Sequence, residues 1–248
     1  MSFIISCRCD MESYLCMMVQ GENEGEEVDI VKIYHLKKYF WEGVRQIKAL
    51  DGIELAIEKG RLTAIVGASG SGKTTLLNTI GGLYRPTQGE VWVDGVNLGE
   101  LSEEQLTIFR RRKAGFVFQN YNLIPELTVR ENILFPLALD GLRADEVFFR
   151  EIAGFLGLEH RLDDYSYELS GGERQCAAIA RALITRPSLI LADEPTGSLD
   201  VRSAQNVAGV LKMAVEMFGQ TVVMVTHNLE IAQVADRVVR VKDGRTDA

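Results

Sequence analysis

The chain has 248 residues, 46% of them apolar, which suffices for a sizeable core and excludes a largely disordered polypeptide. A formal charge of −8 lacks the excess of Lys and Arg needed to coat nucleic acid, although a basic run stands at Arg110 to Lys113. No stretch approaches the roughly eighteen apolar residues of a membrane span, so contact with a membrane is expected through a partner.

Residues 1–27 read as a poorly ordered extension. The apolar run FIIS ends at Cys7, loosely like a lipoprotein cleavage box, but the basic and long apolar regions of a signal peptide are missing. Cys7, Cys9 and Cys16 lack zinc spacings and a nearby His, and read as reduced thiols on this extension, within which Met11 is an alternative start. GENEGEE then reads as an acidic linker into a folded part spanning residues 28–248.

From Val28, VDIVKIYHLKKYF and KALDGIELAIEKG give β-rich runs that predict an antiparallel layer. RLTAIVG predicts a short buried strand, GKTTLLNTIGG a helix directly after a glycine loop, and GEVWVDG another strand. LSEEQLTIFRRRK predicts a helix capped by Ser102, with acids in its first turn and bases in its last. AGFVFQ is again a strand, and between about residues 120 and 175 the apolar spacing turns helical, predicting an inserted helical lobe. SLILADEP, a helix over about 201–218, the strand TVVMVTH, a short helix and VVRVKDGR complete an α/β alternation. Such an alternation predicts a mostly parallel sheet covered on both faces.

Three sets of residues carry chemistry. Gly67-Ala68-Ser69-Gly70-Ser71-Gly72-Lys73-Thr74, followed by Thr75, fits a phosphate-binding loop. Its glycines let backbone N–H groups curl round phosphates, Lys73 reaches the terminal ones, and the Thr74 hydroxyl faces Mg²⁺. Asp193 and Glu194 end an apolar strand, where side chains emerge at the ligand edge of a parallel sheet. There one acid holds Mg²⁺ through water and the second orients or deprotonates an attacking water, against the plainer reading of two solvated acids before a Pro turn. Gln119, after AGFVF, is placed to meet the metal or the γ-phosphate, and His227, after TVVMVT, to donate to that phosphate. Tyr39 is the candidate adenine platform, with Phe40 and Trp41 as rivals.

The third set is LSGGERQCAAIARAL, Leu169 to Leu183. Ser170 and Glu173 form an S-x-x-E capping box, a sufficient structural explanation by itself. A cap needs no pair of glycines, however, whereas close backbone approach to an anion does, and Gly171 and Gly172 stand there.

Together these residues resemble the nucleotide-binding subunit of an ATP-binding cassette (ABC) transporter, from about Val28 onward. GASGSGKT resembles the Walker A loop, Gln119 the Q-loop, LSGGERQ the signature, LILADEP the Walker B strand, Ser198 to Asp200 the D-loop, His227 the switch histidine and Tyr39 the A-loop. Within the family, the chain is similar to the branch of lipoprotein release, macrolide export and antimicrobial-peptide resistance. The resemblance implies a P-loop NTPase fold of the α/β class: a mostly parallel core sheet, an antiparallel β-subdomain and an inserted helical subdomain. It implies ATP and Mg²⁺ as cofactors and a head-to-tail homodimer, in which Ser170, Gly171 and Gly172 of one copy close over ATP held by the other. Lys73, Glu194 and His227 would carry hydrolysis, Asp200 would lie at the nucleotide interface, and Thr74, Gln119 and Asp193 would hold the metal. An integral membrane permease would dock on the Gln119 to Glu126 region and the helical lobe, placing the chain on the cytoplasmic face of the cell membrane.

Cys176 departs from the pattern, since relatives commonly carry Arg there; altered packing or interface charge is expected, with ATP contacts intact. The competing reading is an ATP-driven regulator of a membrane-bound cell-wall enzyme or sensor, without transport. A soluble ABC ATPase of DNA repair or translation lacks support, because there is no long coiled coil, second cassette or basic face. A small-molecule kinase or GTPase would not need LSGGERQ.

Overall fold

Residues 29–246 are described in the structure, a computed structural model. The expectations for residues 1–27, including the three N-terminal cysteines, lie outside the described residues. Strands β1 (Asp29–Glu42) and β2 (Arg45–Glu58) form a long antiparallel hairpin, and β4 (Gln88–Val93) and β5 (Val96–Asn97) extend it in the order β2-β1-β4-β5. A bulge between Ile33 and Leu36, with His35 at φ 49°, returns Leu36 to the buried face after two outward residues.

The second sheet joins β3 (Leu62–Val66), β6 (Ala114–Phe118), β7 (Leu189–Asp193), β8 (Val222–Thr226), β9 (Arg237–Lys242) and β10 (Arg245–Thr246) in the order β10-β9-β3-β8-β7-β6. Only β10 runs antiparallel, at one edge. Alternate residues enter two cores: Ile190, Ala192, Val222 and Met224 face one, Leu189, Leu191, Val223 and Val225 the other. Burial on both faces explains why these strands read as continuous apolar runs.

Helices α1 (Lys73–Ile80) and α2 (Glu103–Lys113) fill the core under the antiparallel sheet. The opposite core takes α3 (Val129–Leu139), α4 (Glu146–Phe155), α5 (Gly171–Leu183), α6 (Val201–Phe218) and α7 (Leu229–Ala232). The predicted Ser102 cap is present, closed as a full box by Gln105. Helices α3 and α4 fall in the stretch where a helical lobe is expected, and α5 runs from there to Leu183, lying against both α3 and β6.

The loop between β6 and α3 is held from two sides. Fully buried Asn132 accepts from the Ile124 N–H at 2.7 Å and donates to the carbonyls of Ile124, Leu127 and Thr128. Arg181 of α5 donates to the carbonyls of Tyr121 and Asn122 at 2.8 and 2.6 Å, fixing two consecutive residues of left-handed backbone (φ 62° and 50°). Both clamps tie loop backbone groups to helix side chains and so fix the loop's path.

Candidate functional site

Strand β3 ends at Val66 and α1 begins at Lys73, so Gly67 to Gly72 are the connecting loop. Lys73 is buried, and its ammonium donates to the carbonyls of Gly67 and Ala68 at 3.0 and 2.9 Å, so the loop wraps round it. Ala68, Ser69 and Gly70 are exposed, presenting the loop backbone outward. Gly72 has φ 105°, and a Cβ there would stand 2.4 Å from the Ala49 carbonyl; one on Gly67 would stand 2.1 Å from the Val241 carbonyl. The loop is thus tightly enclosed by its own chain, and the Ser71 hydroxyl within it is buried without a partner. A pocket of about 540 Å³ opens between Gly67 to Ser71, His227 and the carboxyl end of β9.

The parallel sheet brings the other candidates to the same edge. Thr74 donates its hydroxyl to Asp193 Oδ1 at 3.0 Å, joining the start of α1 to the end of β7 across 119 residues of sequence. Burial pushes the Asp193 carboxyl above its ordinary pKa and the adjacent Glu194 adds to this, against the Thr74 hydroxyl and the Lys73 ammonium. A divalent cation would relieve that unfavourable burial of charge. One carboxylate and one hydroxyl beside a phosphate loop also fit Mg²⁺, which keeps waters and completes its shell with substrate phosphates.

Glu194 sits in left-handed backbone, φ 46°, a conformation that costs a non-glycine residue about 1–2 kcal/mol. Its N–H donates to the Val225 carbonyl at 3.0 Å, and its Oε2 lies 3.0 Å from His227 Nδ1. A neutral His227 donating from Nδ1 would leave Nε2 turned to the site. Gln119 follows β6, whose Phe118 is paired with Asp193, but no hydrogen bond joins Gln119 to Thr74 or Asp193 among the described residues. Its amide lies against Gly197, 2.8 Å from where a Cβ would be. Asp200 caps α6, accepting from the Ser203 N–H and hydroxyl at 3.0 and 2.6 Å.

Tyr39 reaches the loop through the hairpin. Its hydroxyl donates to Asp51 Oδ1 at 2.5 Å, the Asp51 N–H donates to the Gly244 carbonyl, and the Gly244 N–H donates to the Ser71 carbonyl. That bond raises the Tyr39 pKa and lowers that of Asp51. Opposite Tyr39, β2 bulges at Ala49, whose carbonyl abuts Gly72. Phe40 points to the other face, where it meets Tyr84 edge-on at 5.4 Å.

Ser170 caps α5 as predicted: its Oγ accepts from the Glu173 N–H at 3.3 Å, and Glu173 Oε2 accepts from the Ser170 N–H at 2.8 Å. Arg161 holds the other Glu173 oxygen at 3.1 Å. The two glycines that follow are not alike. A Cβ on Gly171 would meet Leu199 and Tyr121 at 3.1 Å, whereas one on Gly172 would find only ordinary contact with Ser203 at 3.6 Å. Glycine costs a helix about 1 kcal/mol relative to alanine, and among the described residues nothing requires it at 172. Cys176, in the second turn, packs against the helical core, and burial pushes its thiol up to about 11, so it is a neutral, small apolar side chain.

Several supports were invisible in sequence: the Asp51 link, the Ala49 bulge, the Val241 wall behind Gly67 and the Asn132 clamp. The first three pair residues that are not sequence neighbours, whereas Asn132, a polar residue inside an apolar helix pattern and close in sequence to its partners, offered a local signal. A groove of about 470 Å³, floored by Phe116, Phe118 and Phe135 and edged by Arg110, Arg111 and Arg181, lies beside the clamped loop.

The family model described as ABC transporter matches residues 50–197. The chain is 45% identical over 222 residues to the uncharacterized ABC transporter ATP-binding protein YvcR of Bacillus subtilis (strain 168), covering 88% of this chain and 86% of that one. It is 42% identical over 221 residues to the lipoprotein-releasing system ATP-binding protein LolD of Geobacter metallireducens, covering 88% and 98%. The solved dimeric, post-hydrolysis structure of the ATP-binding cassette MJ0796, bound to ADP and Pi, aligns with a TM-score of 0.79 at 40% identity, covering 88% of this chain and 97% of that one.

Proposed function

The chain belongs to the ABC transporter family as an ATP-binding and ATP-hydrolysing subunit, and from that premise we propose how its residues divide the work. The convergence of Gly67 to Thr75, Asp193, Glu194 and His227 on one sheet edge carries the reading. The Gly67 to Thr75 backbone and Lys73 hold the phosphates, and Tyr39 carries the adenine. Thr74 and Asp193 hold Mg²⁺, with Gln119 joining them once it leaves Gly197. When bound, Mg²⁺ neutralises phosphate charge and orients the terminal phosphoryl group. Glu194 Oε2 accepts the proton of the attacking water, and His227 positions that carboxylate and donates toward the phosphate.

The signature acts in trans. Ser170, Gly171 and Gly172 of a second copy close over the nucleotide, Gly172 lacking a Cβ so that the α5 N-terminus can approach the phosphates. Asp200, four residues past Thr196 and next to Leu199, which walls Gly171, lies at that same interface. Closing and hydrolysis drive an integral membrane permease seated in the groove beside the loop from Gln119 to Glu126. Among the described residues no helix is long and apolar enough to cross a membrane; docking on that permease would hold the chain at the cytoplasmic face. The likeness to the lipoprotein-release, macrolide-export and peptide-resistance branch supports extraction or export of a lipoprotein, peptide or drug.

Purified chain is expected to hydrolyse ATP only with Mg²⁺ present, and a tagged chain to co-purify from detergent-solubilised membranes with an integral membrane protein. Metal-independent turnover would overturn the Thr74 and Asp193 assignment. Recovery of soluble partners alone would overturn the permease.

A further inference from the structure

Tyr39 and Trp41 were rivals for one role in the sequence, and the structure makes them neighbours. From Tyr39 to Glu42 the pairing with β2 advances one residue at a time, Tyr39 opposite Lys48, Phe40 opposite Ile47 and Trp41 opposite Gln46. With no bulge in β1 over this stretch, Tyr39 and Trp41 share a face, and Phe40 lies on the other against Tyr84. Two rings at i and i+2 on a strand stand about 7 Å apart, roughly the span of a purine.

Trp41 is 68% exposed, unlike Tyr39, whose hydroxyl is tied to Asp51 and whose ring is flanked by the Lys48 ammonium 5.5 Å from its centroid. The carbonyl of Ala49, in the bulge next to Lys48 opposite Tyr39, abuts Gly72, so this end of the hairpin stands beside the phosphate loop. A base lying on Tyr39 would have Trp41 as its neighbour on the same strand face.

We propose that Trp41 is a second base-binding ring, which with Tyr39 forms a two-ring platform for the adenine of ATP. This rests on the assignment of Tyr39 as the adenine contact. Aromatic area has no donor or acceptor to read the base edge, so the pair supplies affinity for a purine rather than selection among purines.

The chain has two tryptophans, Trp41 and Trp92, so a full-length Trp92→Phe background isolates Trp41 emission. ATP and ADP are expected to change that emission, and inorganic tripolyphosphate, which lacks the base, to leave it unchanged. In the native background, Trp41→Ala should weaken ATP binding by about tenfold and Trp41→Phe by much less, with tripolyphosphate affinity unchanged. Emission indifferent to ATP, or Trp41→Ala weakening ATP and tripolyphosphate equally, overturns the proposal. Tyr39→Ala separates it from its premise. If Tyr39→Ala weakens ATP binding while Trp41→Ala does not, the Trp41 inference fails alone; if neither does, the adenine platform on this hairpin fails altogether.

Discussion

Two elements of this chain carry glycines beside a helix start, and they differ in who requires those glycines. In the loop before α1 the chain itself does: Gly72 is left-handed and 2.4 Å from the Ala49 carbonyl at its absent Cβ, and Gly67 is closed off by Val241. At the start of α5, Gly172 has an ordinary helical environment with room for a methyl group. The first element is complete within one chain, whereas the second carries a glycine whose reason lies outside it. That asymmetry supports the proposal of a site assembled from two copies.

The largest expected effect tests the chemistry that the complete element serves. Glu194→Gln should retain ATP binding, lose turnover by about 10³-fold and accumulate an ATP-bound dimer in size-exclusion chromatography with light scattering. Unchanged hydrolysis would remove Glu194 from the proton step. Next, Gly72→Ala and Gly172→Ala should move thermal stability in opposite directions. The first is strained and clashes with backbone; the second gains up to about 1 kcal/mol of helix propensity. Yet Gly172→Ala should lose turnover by about 10²-fold, because its methyl group obstructs the partner's nucleotide. A Gly172→Ala enzyme with normal turnover would dissolve the contrast between the two elements.

The cap at Ser170 makes a smaller, pH-dependent contribution. The Ser170 hydroxyl and N–H, followed by Arg161, hold the Glu173 carboxyl below its ordinary value of 4.5, against its partial burial. A depressed folded pKa means stability that is fully present above the ordinary value and lost as pH falls through the depressed one. Glu173→Ala should therefore cost about 1 kcal/mol near neutrality, and the difference from the parent chain should shrink below about pH 4.5 in denaturant titrations. A difference independent of pH would mean that the cap does not act through the carboxylate.

The order of elements and the site's members were readable because each motif is local: a strand, a fixed spacing and a helix start lie within a dozen residues. Burial on both faces of β3, β7 and β8 shows why even the two-faced sheet was legible, as apolar runs bounded by turns. What holds the site was not readable. The Tyr39 to Ser71 connection runs through Asp51 and Gly244, and the β2 bulge at Ala49, which sets Lys48 opposite Tyr39, has no local signal. Gln119 illustrates the reverse: its position after β6 was legible, but its packing against Gly197 depends on a loop 78 residues later. Sequence proximity defined the motifs; tertiary pairing defined their orientation.

Cys176 provides the smallest effect and the strictest check on where the second element ends. Gly172 and Cys176 are separated by one helical turn, but Gly172 lies at the open N-terminus while Cys176 packs on the helical core. Its thiol is pushed up to about 11 by burial, with Glu173 adding to the effect. Thiolate is the reactive form, so alkylation of the folded chain, followed at this residue by peptide mass mapping, should be slow at pH 8 and accelerate only towards pH 11. In Cys176→Arg the longer stem can follow the helix surface and carry its charge to solvent, so ATP affinity should stay within about twofold of the parent. A large loss of affinity would place residue 176 inside the nucleotide interface, and the second element would then extend a full turn further along α5 than Gly172.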